Sequence, residues 1–295
     1  MAIALEYEYF KPRALDEAVA LKARFGEKGR FLAGGTDLVN NLNDESCRPQ
    51  AVIDLKGIET LKRLEMTSRG LFLGPLVTFS DLIDSRTVKS RYPLLWESAR
   101  EVASTGIRNR ATVAGNICSC VPCMDSAPPL VAYRATVLIR GPEGEREIPA
   151  AEFFRGPRKT ALKAGELLAG LLLPRPPKHG AAFLKQKRYR GEDLAQSNLA
   201  VLALEGKKYR VVFGSVGPTP IEAMKIEKLL EGKALTAGLA AAARKLVRKE
   251  IAPIDDLRSS REYRFIMAEV MLERGLQAAA ARLKGKGPAY GTPLV

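Results

Sequence analysis

Three places in this chain hold residues whose type and spacing could do chemistry. The first is Leu32-Ala33-Gly34-Gly35-Thr36-Asp37-Leu38 and the second is Ala111-Thr112-Val113-Ala114-Gly115-Asn116-Ile117. Each sets glycine beside small hydroxyl or amide side chains. Glycine has no Cβ to hold a ligand away, so such loops bring backbone N–H groups close to an anion. Two of them suggest a split grip on one large phosphate-bearing ligand. The third place is the run Cys118, Cys120 and Cys123, with Cys47 standing apart. Three thiolates are one short of the usual four-cysteine iron–sulfur set. Cys47 completes it only if the fold brings its loop close, and the other reading is small packed thiols. The sole histidine, His179, lies among Pro176, Pro177, Lys178 and Gly180 and reads as part of a surface linker. One histidine argues against zinc hydrolysis and Ser-His-Asp chemistry. No Gly-x-Gly-x-x-Gly opens a βαβ unit, and no phosphate-binding Gly-x-x-x-x-Gly-Lys-Ser/Thr loop is present.

The 295 residues leave room for two or three domains with their own cores. The 46% apolar and 27% charged content is ordinary for a globular protein. No apolar run approaches the ~20 residues of a membrane span. The start of the chain is mixed acidic and aromatic, without a basic region followed by an apolar stretch, so the protein reads as cytoplasmic. The net charge is +14 and is uneven: residues 178–295 hold 22 basic against 12 acidic side chains. A basic C-terminal part could bind nucleic acid, face an acidic partner, or be a solvated surface. No stacking motif lies among those charges, which disfavours nucleic acid.

The elements that must position these loops follow from periodicity. Residues 14–25 read as a helix behind Pro12, and 31–33 as a short strand running into the Gly34-Gly35 turn, with Thr36 and Asp37 free to cap the next helix. Residues 51–55 form a strand. Thr78 and Asp81 have capping-box spacing ahead of a helix to about Ile83. Residues 94–102 form a helix carrying Trp96 as a packing residue. Residues 135–139 and 145–148 form a hairpin about Gly141-Pro142-Glu143-Gly144. An apolar segment, 167–173, stops at Pro174, and Pro174-Arg175-Pro176-Pro177 forms a stiff linker. Beyond it come strands at 181–184, 199–204 and 209–213, helices at 221–230, 237–248 and 262–283, and an extended tail from Gly285.

The ordered set of motifs resembles the FAD-binding (medium) subunit of the molybdenum hydroxylases, the xanthine dehydrogenase and carbon monoxide dehydrogenase type. The resemblance runs through Ala33 to Leu38, Ser104 to Cys118, Asp125-Ser126-Ala127-Pro128-Pro129, Phe153 to Thr160, Gly214 to Pro220 and Pro253 to Arg264. It departs at Ala114, where the family has the first glycine of a Gly-Gly pair. Alanine suits that place at negative φ and is strained at positive φ. The resemblance also sets Cys120 and Cys123 where many relatives carry small residues. A branch resembling 4-hydroxybenzoyl-CoA reductase holds an extra cluster in an insertion that this chain lacks.

The resemblance implies an α+β fold. It comprises a vanillyl-alcohol-oxidase-type (PCMH-type) FAD-binding domain of two subdomains, 1–55 and 56–176, and a CO dehydrogenase flavoprotein-type C-terminal α+β domain, 178–285. A tail, 286–295, follows. It implies FAD lying extended between the subdomains. Leu32, Ala33, Gly34, Gly35, Thr36, Asp37 and Leu38 would wrap the diphosphate, and Ala111, Thr112, Gly115, Asn116 and Cys118 would meet it from the other side. Val102 and Ala103 would line the adenosine side, Asp125 would bind a cofactor hydroxyl, and Leu168 and Lys185 would lie near the flavin ring. Lys185 also reads as a plain surface lysine of the run Lys185-Gln186-Lys187-Arg188. The implied function is an oxidoreductase subunit passing electrons between partner [2Fe-2S] clusters and NAD or another acceptor. Molybdopterin would lie in a large partner subunit, in a heterotrimer or a dimer of heterotrimers. The alternatives are a stand-alone flavin reductase of the same fold and a basic nucleic-acid-binding protein.

Overall fold

The computed structural model describes residues 5–189 and 191–295. Strands β1 (Glu8–Phe10), β2 (Gly29–Leu32) and β3 (Ala51–Asp54) form a parallel sheet in the order β1-β3-β2. The helix Leu15–Phe25 packs on it, burying Ala18 and Val19. All four residues of β3 are buried, as expected of the middle strand of a covered parallel sheet.

The second sheet is antiparallel, in the order β4-β5-β10-β6-β7. It is built from β4 (Leu64–Met66), β5 (Leu71–Leu73), β6 (Thr136–Gly141), β7 (Gly144–Pro149) and β10 (Leu167–Leu173). A small pair, β8 (Phe154–Gly156) and β9 (Lys159–Thr160), lies between β7 and β10 in the chain. The hairpin expected about Pro142-Glu143 is present, with Gly141 paired to Gly144. The capping box is also present: Thr78 and Asp81 exchange side-chain and backbone hydrogen bonds at the start of the helix Phe79–Asp84.

The third sheet runs β11 (His179–Gln186), β12 (Ser197–Leu204), β13 (Lys208–Gly214) and β14 (Ile221–Glu222), antiparallel throughout. Every residue of β12 is buried, so both faces of this sheet are covered. The strand's two-residue period divides the burial. Leu199, Val201 and Ala203 join the core under the long helix Arg261–Leu283, whereas Ala200, Leu202 and Leu204 join the core of the second sheet. The helices Pro93–Arg100 and Ala127–Ala132 cover that second face.

Several local expectations are corrected. Asp37 caps nothing: the helix Leu38–Asn43 has no side-chain cap, and the Asp37 carboxylate instead accepts from the hydroxyl of Ser119. Residues 221 and 222 are a strand and the helix starts at Met224, because Ile221 pairs with Phe213 at the sheet edge. The helix expected over 237–248 breaks after Arg244, and a short 3-10 turn follows at Val247–Lys249. His179 is not a linker residue. It opens β11 and packs half-buried on Tyr133, with Nε2 3.2 Å from the phenol oxygen and Nδ1 2.8 Å from the Pro177 carbonyl. Burial holds its pKa below the ordinary histidine value. The tail folds back onto the body of the protein: the Gly291 N–H donates to Glu97 at 2.9 Å, and Arg282 Nε and Nη2 donate to the carbonyls of Pro288 and Ala289.

Candidate cofactor-binding site

The two glycine loops meet. A Cβ on Gly34 would stand 2.0 Å from the carbonyl oxygen of Arg110 and 3.0 Å from the Cα of Ala111, so only glycine allows the two backbones this approach. Gly35 follows with φ +83°, in the left-handed region that favours glycine. The bend carries a run of backbone donors. The N–H groups of Gly34, Gly35, Thr36 and Asp37 find no acceptor among the described residues, and these residues are half-buried to exposed. The Ser119–Asp37 hydrogen bond ties the far end of the loop to the helix Val113–Ser119.

The second loop is arranged differently from the sequence expectation. Thr112 caps the helix Val113–Ser119, its hydroxyl accepting from Gly115 N at 2.9 Å, and Val113 N donates to the Val77 carbonyl. Most of this loop's N–H groups are therefore satisfied within the protein. It contributes shape, the Thr112 side and the Asn116 amide, whose Oδ1 accepts from Ser126 at 2.6 Å. Ala114 sits inside the helix at negative φ, so the departure from a glycine pair carries no backbone strain. Leu168 lies buried in β10, the strand against which this helix packs. Ala33, Gly34, Arg110 and Thr112 line a cleft of about 660 Å³, together with Lys56, Leu76 and Asp81.

Asp125 and Lys185, sixty residues apart, are brought together: Lys185 Nζ lies 2.6 Å from Asp125 Oδ2, and both side chains are almost fully buried. Lys185 is thus not the surface lysine of a charge run. Its ammonium also donates to the Glu101 carbonyl at 2.8 Å, and Asn198 Nδ2 donates to the other Asp125 oxygen at 2.9 Å. Burial lifts the Asp125 carboxyl above its ordinary range, with Lys185 and then Asn198 opposing. Val102 and Ala103 directly follow Glu101. Arg108 holds their bend by donating to both carbonyls at 2.8 and 2.7 Å, and Ala103 takes φ +37°. Ala103 borders a second pocket of about 410 Å³, with Arg100, Arg108 and Lys187. Val102 and Ala103 therefore share one end of the site with Lys185.

The cysteine run does not gather into a ligand set. Among the described residues no three His, Cys, Asp or Glu side chains are placed to hold a metal ion. The Cys120 thiol faces the β8–β9 pair, donating to the carbonyls of Gly156 and Lys159, while Cys118 is exposed and Cys47 accepts from Arg30. Sequence reasoning missed Lys56, Arg110, Ser119 and Asn198. Only Lys56 had a local signal, a cation two residues beyond the aspartate that ends a strand.

Comparison with known proteins decides the family. Residues 5–176 match the FAD binding domain in molybdopterin dehydrogenase, and residues 181–279 match the CO dehydrogenase flavoprotein C-terminal domain. The chain belongs to the molybdopterin dehydrogenase flavoproteins. It is 32% identical over 282 residues to the carbon monoxide dehydrogenase medium chain of Afipia carboxidovorans, covering 94% of this chain and 98% of that one. It is 30% identical over 285 residues to the xanthine dehydrogenase FAD-binding subunit of Escherichia coli O157:H7, covering 94% and 97%. Among solved structures, the Hydrogenophaga pseudoflava carbon monoxide dehydrogenase lacking its Mo-pyranopterin moiety superposes with a TM-score of 0.90 at 33% identity, covering 96% of this chain and 99% of that one. This family member therefore carries a PCMH-type FAD-binding domain and is an oxidoreductase flavoprotein subunit. The geometry suits FAD: unpartnered N–H groups along Gly34 to Asp37 and a close approach that a Cβ would fill. No helix among the described residues is long and apolar enough to cross a membrane.

Proposed function

We propose that this chain relays electrons from [2Fe-2S] clusters in a small partner subunit to an external acceptor such as NAD, within a complex whose large subunit holds molybdopterin. A heterotrimer or its dimer accommodates these parts. When bound, FAD supplies the means to accept electrons singly and release them as a pair. The observation that carries the reading is the unpartnered N–H run of Gly34 to Asp37, locked against Arg110 and Ala111. It is a cradle for a diphosphate in a chain of this family.

The protein's own residues then have distinct parts. Leu32 to Leu38 hold the diphosphate, while Ala111, Thr112, Gly115, Asn116 and Cys118 form the facing wall. Val102 and Ala103 line the adenosine side, Asp125 holds a cofactor hydroxyl, and Leu168 and Lys185 lie near the flavin ring. There the Asp125-paired ammonium favours negative charge on a reduced ring. The domain division at 55/56 and 176/178 is the matching proposal for how the cleft is built. The test is reduction of the purified complex by its substrate or by dithionite. The flavin absorbance should bleach after the iron–sulfur signal and return on adding NAD+ or a quinone. A flavin that stays oxidised beside reduced clusters would refute the relay.

A further inference from the structure

The structure assigns Lys56, supported by Asp54, and Arg110 as the countercharges for the cofactor's diphosphate, an inference that rests on the phosphate lying at Gly34 to Asp37. Backbone N–H groups supply direction but no net charge, and a dianionic group needs compensation in a cleft partly screened from water. Three cations line the cleft beside Gly34: Lys56, Lys62 and Arg110. Lys56 and Lys62 each pair with a carboxylate, at 2.7 and 2.9 Å, but only Lys56 also reaches the Ala33 carbonyl beside Gly34. Arg110 has no side-chain acceptor among the described residues, although its backbone is the surface that touches Gly34.

Lys56 is positioned rather than merely exposed. It follows β3 in the turn Leu55–Gly57. Its Nζ stands 2.7 Å from Asp54 Oδ1 and 3.5 Å from the Ala33 carbonyl. Asp54 is almost fully buried and is fixed further by the Tyr9 hydroxyl and by the Lys56 N–H. A lysine ammonium has three donors, so bonding to Asp54 and to the Ala33 carbonyl still leaves one for the cleft. Burial raises the Asp54 pKa, but the hydrogen bonds from Lys56 and Tyr9 outweigh it and hold the carboxyl below its ordinary range. The support is therefore ionised at neutral pH. Of the two acids lining the cleft, Asp81 is tied to Thr78, and Asp84 is the one left facing the cations.

The experiment strips flavin from the full chain and titrates it with FAD and with ADP, using phosphate-free riboflavin as the control. FAD and ADP affinity should fall about 10- to 100-fold in Lys56→Met and again in Arg110→Met, the range for losing a charge-assisted hydrogen bond. Lys56→Arg should recover most of the loss, riboflavin binding should stay unchanged, and the salt dependence of FAD binding should weaken in the double variant. FAD affinity unchanged in both variants, or riboflavin binding lost in parallel, overturns the assignment. Arg110 is exposed, so its variant probes binding without threatening the fold. If the wild-type chain itself takes up neither FAD nor ADP, the reading of the glycine loop fails instead.

Discussion

Replacing Arg282 with methionine should cost more than replacing its partner Glu97 with glutamine, and the excess should depend on pH. Glu97 and Arg282 form an ion pair at 3.0 Å with side chains 5% and 3% exposed. Removing one member of a buried pair typically costs about 3–5 kcal/mol, because a charge is left without compensation. The two losses are not equivalent here. Without Glu97's charge, Arg282 still donates to the carbonyls of Ala181, Pro288 and Ala289, so Glu97→Gln should cost about 1–3 kcal/mol. Without Arg282, Glu97 keeps only the N–H groups of Phe183 and Gly291, and the full penalty applies. Burial already pushes the Glu97 carboxyl above its ordinary range, and Arg282 is the foremost opposing influence. Losing Arg282 raises it further, so the native state binds this proton more tightly than the unfolded chain does. Stability from such a group is present below the unfolded value and is lost as pH rises through the folded one. The Arg282→Met penalty should therefore be largest at alkaline pH and shrink on acidification toward the ordinary carboxyl range. Urea unfolding of both variants across this range is the assay. A penalty that is flat with pH, or smaller than that of Glu97→Gln at the alkaline end, would refute the reasoning.

Gly34→Ala should yield folded protein depleted of flavin, because its Cβ would fall 2.0 Å from a backbone oxygen that cannot yield without parting the loops. The flavin-to-protein ratio measures it, and a full complement would disprove the contact. Ala114→Gly should keep its flavin and lose about 1 kcal/mol of stability from the helix interior, read by thermal unfolding. Lys185→Met should destabilise most at alkaline pH and recover on acidification, since Asp125, already lifted by burial, loses its buried cation. Equal destabilisation at both ends of the pH range would contradict this. The isolated chain, purified anaerobically, should contain iron and acid-labile sulfide near zero, and a stoichiometric amount of either in metal analysis would contradict this.

What was legible in the sequence was local. The Thr78–Asp81 box, the Gly141–Gly144 hairpin and the Gly34-Gly35 bend each depend on residues a few positions apart, and each is found where periodicity and turn chemistry put it. The family was legible because its motifs are likewise short and ordered. What stayed hidden depends on partners brought from far along the chain. Lys185 looks like one cation of a solvated run until β11 turns it onto Asp125. Asp37 looks like a cap until Ser119 takes its carboxylate. A tail rich in glycine and proline reads as merely extended until Glu97, 194 positions away from Gly291, accepts its N–H.

The hidden contacts have a common location, and this explains why the C-terminal half matters to a cofactor gripped by the N-terminal half. β11 carries Phe183, whose N–H donates to Glu97, and Lys185, which bonds Glu101 and Asp125, so one strand is fastened twice to the segment 97–125. That segment also contains Val102, Ala103, Arg110 and the whole second loop. Two buried charges on the N-terminal side, Glu97 and Asp125, are each left uncompensated if β11 and the long helix Arg261–Leu283 withdraw together. Separating the two halves would then cost two buried ion pairs at once, and the segment that carries the second loop is held in register by the same bonds. The position of the second loop is therefore set as much by the sheet beyond the Pro174–Pro177 linker as by its own sequence.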